Sequence, residues 1–355
     1  MERSILSTYT AEYEQKLTTP AKAVEVLKSG DTVIPGVACA EPPALLAAIA
    51  DRARQGDLQN IRVYVLAAQK HAGATILSPD LCDCFQVYTW FVGPADRKLT
   101  GVGIDYFIPN YFHELPRIIE DYLKVDLTVS TVSPMDKNGF FSFGLSNDYT
   151  STAARCAKKL VVEVNKNMPR VFGGSLLHIS EVDAIVENDA PVIELPMPGP
   201  APEDDAIGNC IAAMVPDGAT IQIGAGAVPN MVTRYLSGHK DLGVHSEVLG
   251  AGIVDLVKKG VVTGKKKALH PMKHVFTLAS GTRDTFDFMD DNPSMESYPV
   301  SYVNAPEVIA LNDNMISINA TLEVDLLGQC NSEFLGGMQF SGTGGQLDFV
   351  RGAFD

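Results

Sequence analysis

Gly218-Ala219-Thr220-Ile221-Gln222-Ile223-Gly224-Ala225-Gly226-Ala227-Val228-Pro229-Asn230 is the stretch on which the fold turns. A β-branched run enters a cluster of small residues, and Pro229 with the apolar stretch from Met231 to Leu236 then opens a helix. An earlier stretch reads almost the same: Gly30-Asp31-Thr32-Val33-Ile34-Pro35-Gly36-Val37-Ala38, then Pro42 and Pro43. There the following helix runs to Arg54, with Leu45, Leu46 and Ile49 on one face. The spacing from Gly30 to Gly36 matches that from Gly218 to Gly224. Each copy reads helix, turn, strand, small-residue loop, proline, helix. In the first copy the leading helix covers Ala21 to Leu27, with Ser29-Gly30 as its stop. The repeat predicts an α/β chain of two similar open halves, with a site in the cleft between them at the carboxyl ends of strands.

Outward from the repeat, Ile61 to Ala67, Val125 to Val132 and Lys159 to Val164 read as buried strands. Strands alternating with amphipathic helices imply βαβ units and a mostly parallel sheet. The halves part at Glu194-Leu195-Pro196-Met197-Pro198-Gly199-Pro200-Ala201-Pro202, where proline recurs at every second position. Such a stretch continues neither a helix nor a central strand and reads as a semi-rigid linker. The expected organisation is an N-terminal α/β domain over 1–193, a linker over 194–206 and a C-terminal α/β domain over 207–355.

Composition narrows the function. Lys and Arg number 28 against 43 Asp and Glu, a net charge of -15, which disfavours a nucleic-acid partner because phosphate binding needs a basic face. Lys265-Lys266-Lys267 is too short a basic run to change that and reads as a solvated loop. No apolar run approaches the roughly 20 residues of a membrane span, and no signal-peptide pattern follows Met1, so a cytoplasmic location is expected. Cys39, Cys156, Cys210 and Cys330 are scattered singly, which suits reduced thiols. Cys82-x-Cys84 lacks a second pair, and His270 and His274 are separated by Pro271, which argues against a shared helix face. No metal is expected.

Three loops carry the chemistry. Gly224-Ala225-Gly226 lets main chain approach a ligand closely, and amides at the following helix start favour negative charge. Pro229 stands at the third glycine position of a dinucleotide fingerprint, which weakens that reading and leaves a main-chain amide pocket for an oxyanion open. Leu242-Gly243-Val244-His245-Ser246-Glu247-Val248-Leu249-Gly250 places Glu247 between a short strand and a helix from Ala251 to Lys259. Glu247 reads equally as a desolvated nucleophile or base and as an acid complementing the helix dipole. Ser341-Gly342-Thr343-Gly344-Gly345-Gln346 reads as a flexible turn or as a second main-chain wall on the same cleft. Trp90 and Phe91 are expected in the core or at an interface.

Together these strings resemble the acetyl-CoA hydrolase/transferase family. Glu163-Val164-Asn165-x-Asn167-Met168-Pro169-Arg170 is similar to a family signature, the Asp217-to-Pro229 stretch to its glycine loop, and Leu242-Gly243-Val244-His245-Ser246-Glu247 to its catalytic-glutamate motif. Asn312-Asp313-Asn314, Ser317-Ile318-Asn319-Ala320 and Glu323-Val324-Asp325-Leu326-x-Gly328-Gln329 resemble its late strands, and the Ser341-to-Ala353 stretch its second glycine loop. The resemblance runs from about Glu14 to the last residue, and the His-Ser-Glu context favours the 4-hydroxybutyrate and butyrate CoA-transferase branch.

The resemblance implies tandem CoA-transferase-type halves and a catalytic Glu247, with Asn319 orienting it. Gly224, Ala225, Gly226, Gly342, Gly344 and Gly345 would contact CoA or the oxyanion. Glu247 would attack an acyl-CoA to give a mixed anhydride and then a glutamyl-CoA thioester, from which a carboxylate such as acetate takes the CoA. CoA esters and small carboxylates are then substrates, with no metal or separate cofactor, and a homodimer or larger homo-oligomer is expected. Family members usually continue several tens of residues past Arg351-Gly352-Ala353, so the C-terminal domain reads as truncated at Asp355. An acyl-CoA hydrolase on the same scaffold, or a silent acyl-CoA-binding protein, are the alternatives.

Overall fold

The computed structural model describes residues 2–196, 202–224 and 226–354. Its large sheets are built from strands β1 (Thr32–Pro35), β2 (Ile61–Val65), β3 (Phe85–Thr89), β4 (Asp105–Phe107), β5 (Leu127–Val132), β6 (Lys159–Val164) and β7 (Phe172–Gly173). They continue with β8 (Ala184–Glu187), β9 (Thr220–Ile223), β10 (Gly243–Leu249), β11 (His274–Ala279), β12 (Met295–Ser297) and β13 (Met315–Ile318). The first sheet has the order β8-β6-β5-β1-β2-β3-β4 and the second β13-β9-β10-β11-β12-β7. Every pairing within them is parallel. The fold is therefore the expected one, two similar open α/β halves. β7 joins the second sheet at its edge, where Phe172 and Gly173 pair with Glu296 and Ser297, before the chain returns to the first sheet as β8.

Parallel strands are buried on both faces, and the strand sequences show it. β1 and β5 are buried at every residue. The helix Pro43–Arg54 turns Leu45, Leu46 and Ile49 into the first core, with Pro43 at its first position. The helix Ala251–Lys258 places Ile253, Val254 and Leu256 in the second.

A third cluster joins the halves. Trp90, Phe112, Tyr149 and Ile34 of the first half pack with Val300 of the second. Main-chain bonds cross the same junction, from Ala279 to Leu145 (2.8 Å) and from Val300 to Asp148 (3.0 Å). Trp90 thus belongs to the buried seam between the halves.

Some elements differ from the sequence reading. The Ala21–Leu27 stretch is a short helix, Pro20–Ala23, followed by a one-turn 3-10 segment, Val24–Val26. The second repeat helix starts at Ala227 rather than Met231, since proline is tolerated in a first turn. Most informative is Leu242–Gly250. It contains a seven-residue strand, because β11 supplies parallel partners from Val244 to Leu249, and this pairing overrides the loop character of Gly243, Ser246 and Glu247. The stretch 197–201 of the expected linker lies outside the described residues, and a helix, Pro202–Ala212, begins directly after it.

Candidate functional site

Strand lengths create the opening. β9 pairs with β10 only through Thr220–Gly243 and Ile221–Val244, whereas β10 runs on to Leu249. Glu247 therefore stands beyond the last β9–β10 pair. The chain steps from β9 to β10, β11 and β12 in one direction, and β13 returns on the other side of β9. A reversal of this kind is where parallel α/β sheets open a crevice at their carboxyl ends.

A cavity of about 340 Å³ occupies that crevice. Its floor holds Gly224, Gly226, Glu247 and Asn319. Gly342, Gly344 and Gly345 form a second wall, ahead of the helix Gln346–Phe354. Phe91, from the chain following β3, closes the side nearest the first half. Ala225 lies outside the described residues. The sequence-derived candidates that are described thus share one cavity, and it adjoins both halves.

Glu247 is held at its Oε2 by Asn304, whose Nδ2 donates over 2.7 Å. The Gly345 main-chain N–H is a second donor to the carboxylate. A Cβ on Gly345 would collide with both the Glu247 carboxylate and the Asn304 amide, so only glycine lets the main chain come this close. Gly344 needs its freedom for another reason, a φ of 52°. Burial pushes the Glu247 carboxyl up to about 7 and the nearby Asp348 charge acts in the same direction, while the Asn304 and Gly345 donors oppose them.

The His-Ser-Glu string has a local logic. His245 is fully buried, and its Nε2 donates to the Val303 carbonyl over 2.8 Å. Burial pushes its imidazole down to about 3, so it stays neutral and works as a hydrogen-bond clamp. That clamp anchors the short helix Val300–Val303, directly before Asn304. Alternation along β10 then returns a side chain two residues on, Glu247, to the same side as His245.

Asn319 makes other contacts. Its Nδ2 donates to Gln222 Oε1 (3.1 Å) and Ser317 Oγ (2.9 Å), and its Oδ1 accepts from Gln222 Nε2 (3.0 Å). It ties β9 to β13 and faces Gly224, where a Cβ would lie 2.7 Å from its Oδ1. The side-chain amide on Glu247 is that of Asn304, which the sequence reading did not select. Asn304 lies outside every glycine loop and recognised string, so only the fold brings it to Glu247. His270 and His274 also part company: His270 bonds Tyr302 from a turn, and His274 is buried in β11.

A parallel α/β enzyme with a desolvated carboxylate in a glycine-walled cleft is the class that fold and site define. The acetyl-CoA hydrolase/transferase N-terminal domain model matches residues 1–195, and the corresponding C-terminal domain model matches residues 281–355. A succinyl-CoA:cyclohexane-1-carboxylate CoA transferase of Geobacter metallireducens is 45% identical over 345 residues, which are 97% of this chain and 78% of that protein. A 4-hydroxybutyrate coenzyme A transferase of Clostridium kluyveri is 42% identical over 96% of this chain and 79% of its own length. The crystal structure of RipA from Yersinia pestis superposes with a TM-score of 0.95 at 48% identity, covering 98% of this chain and 80% of that one. The chain belongs to the acetyl-CoA hydrolase/transferase family, and it is an enzyme of the CoA-transferase type. Among the described residues no helix is long and apolar enough to cross a membrane.

Proposed function

We propose that the chain moves CoA between a short-chain acyl-CoA, of the 4-hydroxybutyryl or butyryl type, and a carboxylate acceptor such as acetate, with Glu247 as the nucleophile. One observation carries this reading: the Glu247 carboxylate lies on an open cavity, desolvated, with the Gly345 N–H against it. Desolvation removes the hydration that blunts a carboxylate toward a thioester, and the remote parts of CoA supply binding energy that holds the pair in place.

A Glu247 oxygen attacks the thioester carbonyl, the C–S bond breaks, and an acyl-glutamyl anhydride and CoA thiolate result. The thiolate then attacks the Glu247 carbonyl, releasing the acyl group as its carboxylate and leaving a glutamyl-CoA thioester. An incoming carboxylate attacks that thioester, and the reverse sequence yields the new acyl-CoA and free Glu247. Oxyanions formed on the way are stabilised by main-chain amides of Gly226, Gly344 and Gly345. Asn319, bonded to Gln222 and Ser317, backs the main chain at Gly224.

Phe91, Val248, Leu322 and Phe340 offer the acyl chain an apolar wall, in keeping with the 4-hydroxybutyrate activity named for the C. kluyveri relative. CoA esters are substrates here, and no metal or separate cofactor enters a step. We place the enzyme in the cytoplasm as a homo-oligomer.

Intact-protein mass spectrometry after mixing with butyryl-CoA, with and without borohydride, tests the reading. A CoA adduct mapped to Glu247, lost in Glu247→Gln, supports it. An adduct elsewhere, or transfer without any adduct, overturns it. New acyl-CoA made only with added acetate separates transfer from hydrolysis.

A further inference from the structure

Behind Glu247 a line of polar groups leaves the cavity and crosses to the first half. Asn304 is the first step. It is fully buried, and its Nδ2 lies 2.7 Å from Glu247 Oε2 and 3.4 Å from Asp348 Oδ2. Two carboxylates around one amide nitrogen permit a single orientation, since the flipped amide would turn its oxygen on both. Asn304 Oδ1 has no partner, so its far side does nothing to hold that orientation.

Asp348 is the second step. It is fully buried in the first turn of Gln346–Phe354 and accepts twice from His113, from Nδ1 at 2.7 Å and from the main-chain N–H at 3.1 Å. His113 belongs to the first half, in the one-turn segment Phe112–Glu114 between β4 and β5, with the Tyr111 ring stacked beside it.

We propose that His113 and Asp348 are positioning residues for Glu247, acting through the Asn304 amide, so that the first half of the chain sets the charge and orientation of the nucleophile on the second. This rests on Glu247 being the nucleophile. The Asp348 hydrogen bond holds His113 toward its charged form, with Glu114 and Glu307 adding to it. Glu247 faces the Asp348 charge. A protonated His113 offsets that charge; without it, Asp348 opposes ionisation of Glu247 in full. His113 reaches Glu247 only by way of Asp348, so its influence should vanish once Asp348 is neutral.

The test is the pH profile of kcat/KM, with single-turnover formation of the Glu247 adduct, from about pH 5 to 9. His113→Gln is expected to move the acid limb up by about half to one pH unit, and Asp348→Asn to move it down. The double variant is expected to superpose on Asp348→Asn. The loss in each falls on kcat more than on KM. An unmoved limb in His113→Gln, or a double variant displaced from Asp348→Asn, overturns the proposal. If the wild type forms no adduct on Glu247, it is the nucleophile assignment that has failed.

Should these variants not fold, the His113 ring titration followed by NMR in the wild type and in Glu247→Gln reads the same coupling from its other end. A lower His113 pKa in Glu247→Gln is expected, and an unchanged one overturns the proposal.

Discussion

Strands β5-β1-β2-β3-β4 and strands β13-β9-β10-β11-β12 follow the same order, and their registers correspond residue by residue. Thr32 pairs with Arg62 as Thr220 pairs with Gly243, and Pro35 pairs with Val129 as Ile223 pairs with Ile318. Carried along the strands, Gly36 takes the place of Gly224, Ser130 that of Asn319, and Leu66 that of Glu247. The frameworks agree and the contents do not. After Gly36 the chain makes a turn whose Val37, Cys39 and Ala40 are buried, and only then starts its helix at Pro43. After Gly224 the helix starts at Ala227. The first crevice is packed with its own main chain, while the second is left open and holds the cavity. One framework becomes a site where the connection after its first strand is short and the neighbouring half supplies Phe91 as the missing wall.

The halves also separate two glutamates that titrate alike. Burial pushes Glu41 and Glu247 each up to about 7. Glu41 is satisfied by main-chain N–H groups of Gln69 (2.6 Å) and Ala72 (3.1 Å) at the start of the next short helix. Glu247 has an open cavity beside it. The surroundings, more than the perturbed carboxyl, distinguish a cap from a nucleophile.

The sharpest way to break this comparison is to neutralise each glutamate. Glu247→Gln is expected to lower transfer by about ten-thousandfold or more, with the fold intact by thermal melting. Glu41→Gln is expected to keep the rate per folded molecule and to lose about 1–3 kcal/mol of stability, since one of its two N–H donors then faces an amide nitrogen. Equal activity losses in the two would end the distinction.

The glycines give the next largest contrast. Gly345→Ala drives a methyl into the Glu247 carboxylate and the Asn304 amide, and a displaced reacting group costs about a hundredfold in kcat. Gly36→Ala places its methyl 2.6 Å from Ala40 O and from Ser130 Oγ, inside a filled crevice. It is expected to cost about 1–3 kcal/mol in denaturant unfolding and little activity. A Gly345→Ala enzyme with a normal rate would show that the Gly345 main chain does not shape the nucleophile.

These contrasts also show what the sequence makes legible. The repeat was readable because Gly30 to Gly36 and Gly218 to Gly224 are contiguous and carry turn chemistry. Glu247 and both glycine loops were readable because each chemically distinctive residue sits within a recognisable string. Asn304 and His113 lie outside every recognised string, and Asp348 sits inside the second glycine string without an assigned role, since contacts between residues 113, 247, 304 and 348 follow from sheet order and junction packing, which leave no local pattern. The filled first crevice was equally hidden: the sequence shows that Val37–Pro42 lengthens the connection, and only packing shows where those residues go.

Ionisation offers a smaller but directional test. The Glu247 carboxyl titrates near 7 in the folded protein, above its ordinary 4.5, so the fold favours the protonated form. Its contribution to stability is complete below the unfolded value and is lost as pH rises from about 4.5 to about 7. Glu247→Gln has no such loss. Its stability relative to wild type should climb through that window and level off about 1–3 kcal/mol higher above pH 7, measured by unfolding at several pH values. Parallel stability curves would mean that Glu247 is solvated in the working fold.

Asn319→Ser gives the second half the side chain that the first half carries at Ser130, and the smallest effect of the series is expected from it. Serine reaches less far, so Gln222 loses both of its bonds to the Asn319 amide and keeps only the one from Ser317. The Gly224 turn is then less firmly seated, at about the cost of one hydrogen bond, or roughly tenfold in kcat/KM. Because Asn319 touches Gln222 and Ser317 rather than Glu247, the acid limb of the pH profile should stay where it is. A displaced limb would mean that Asn319 turns onto Glu247 when substrate is bound. The two crevices would then differ in the amide that one strand end carries, as well as in the length of the loop between them.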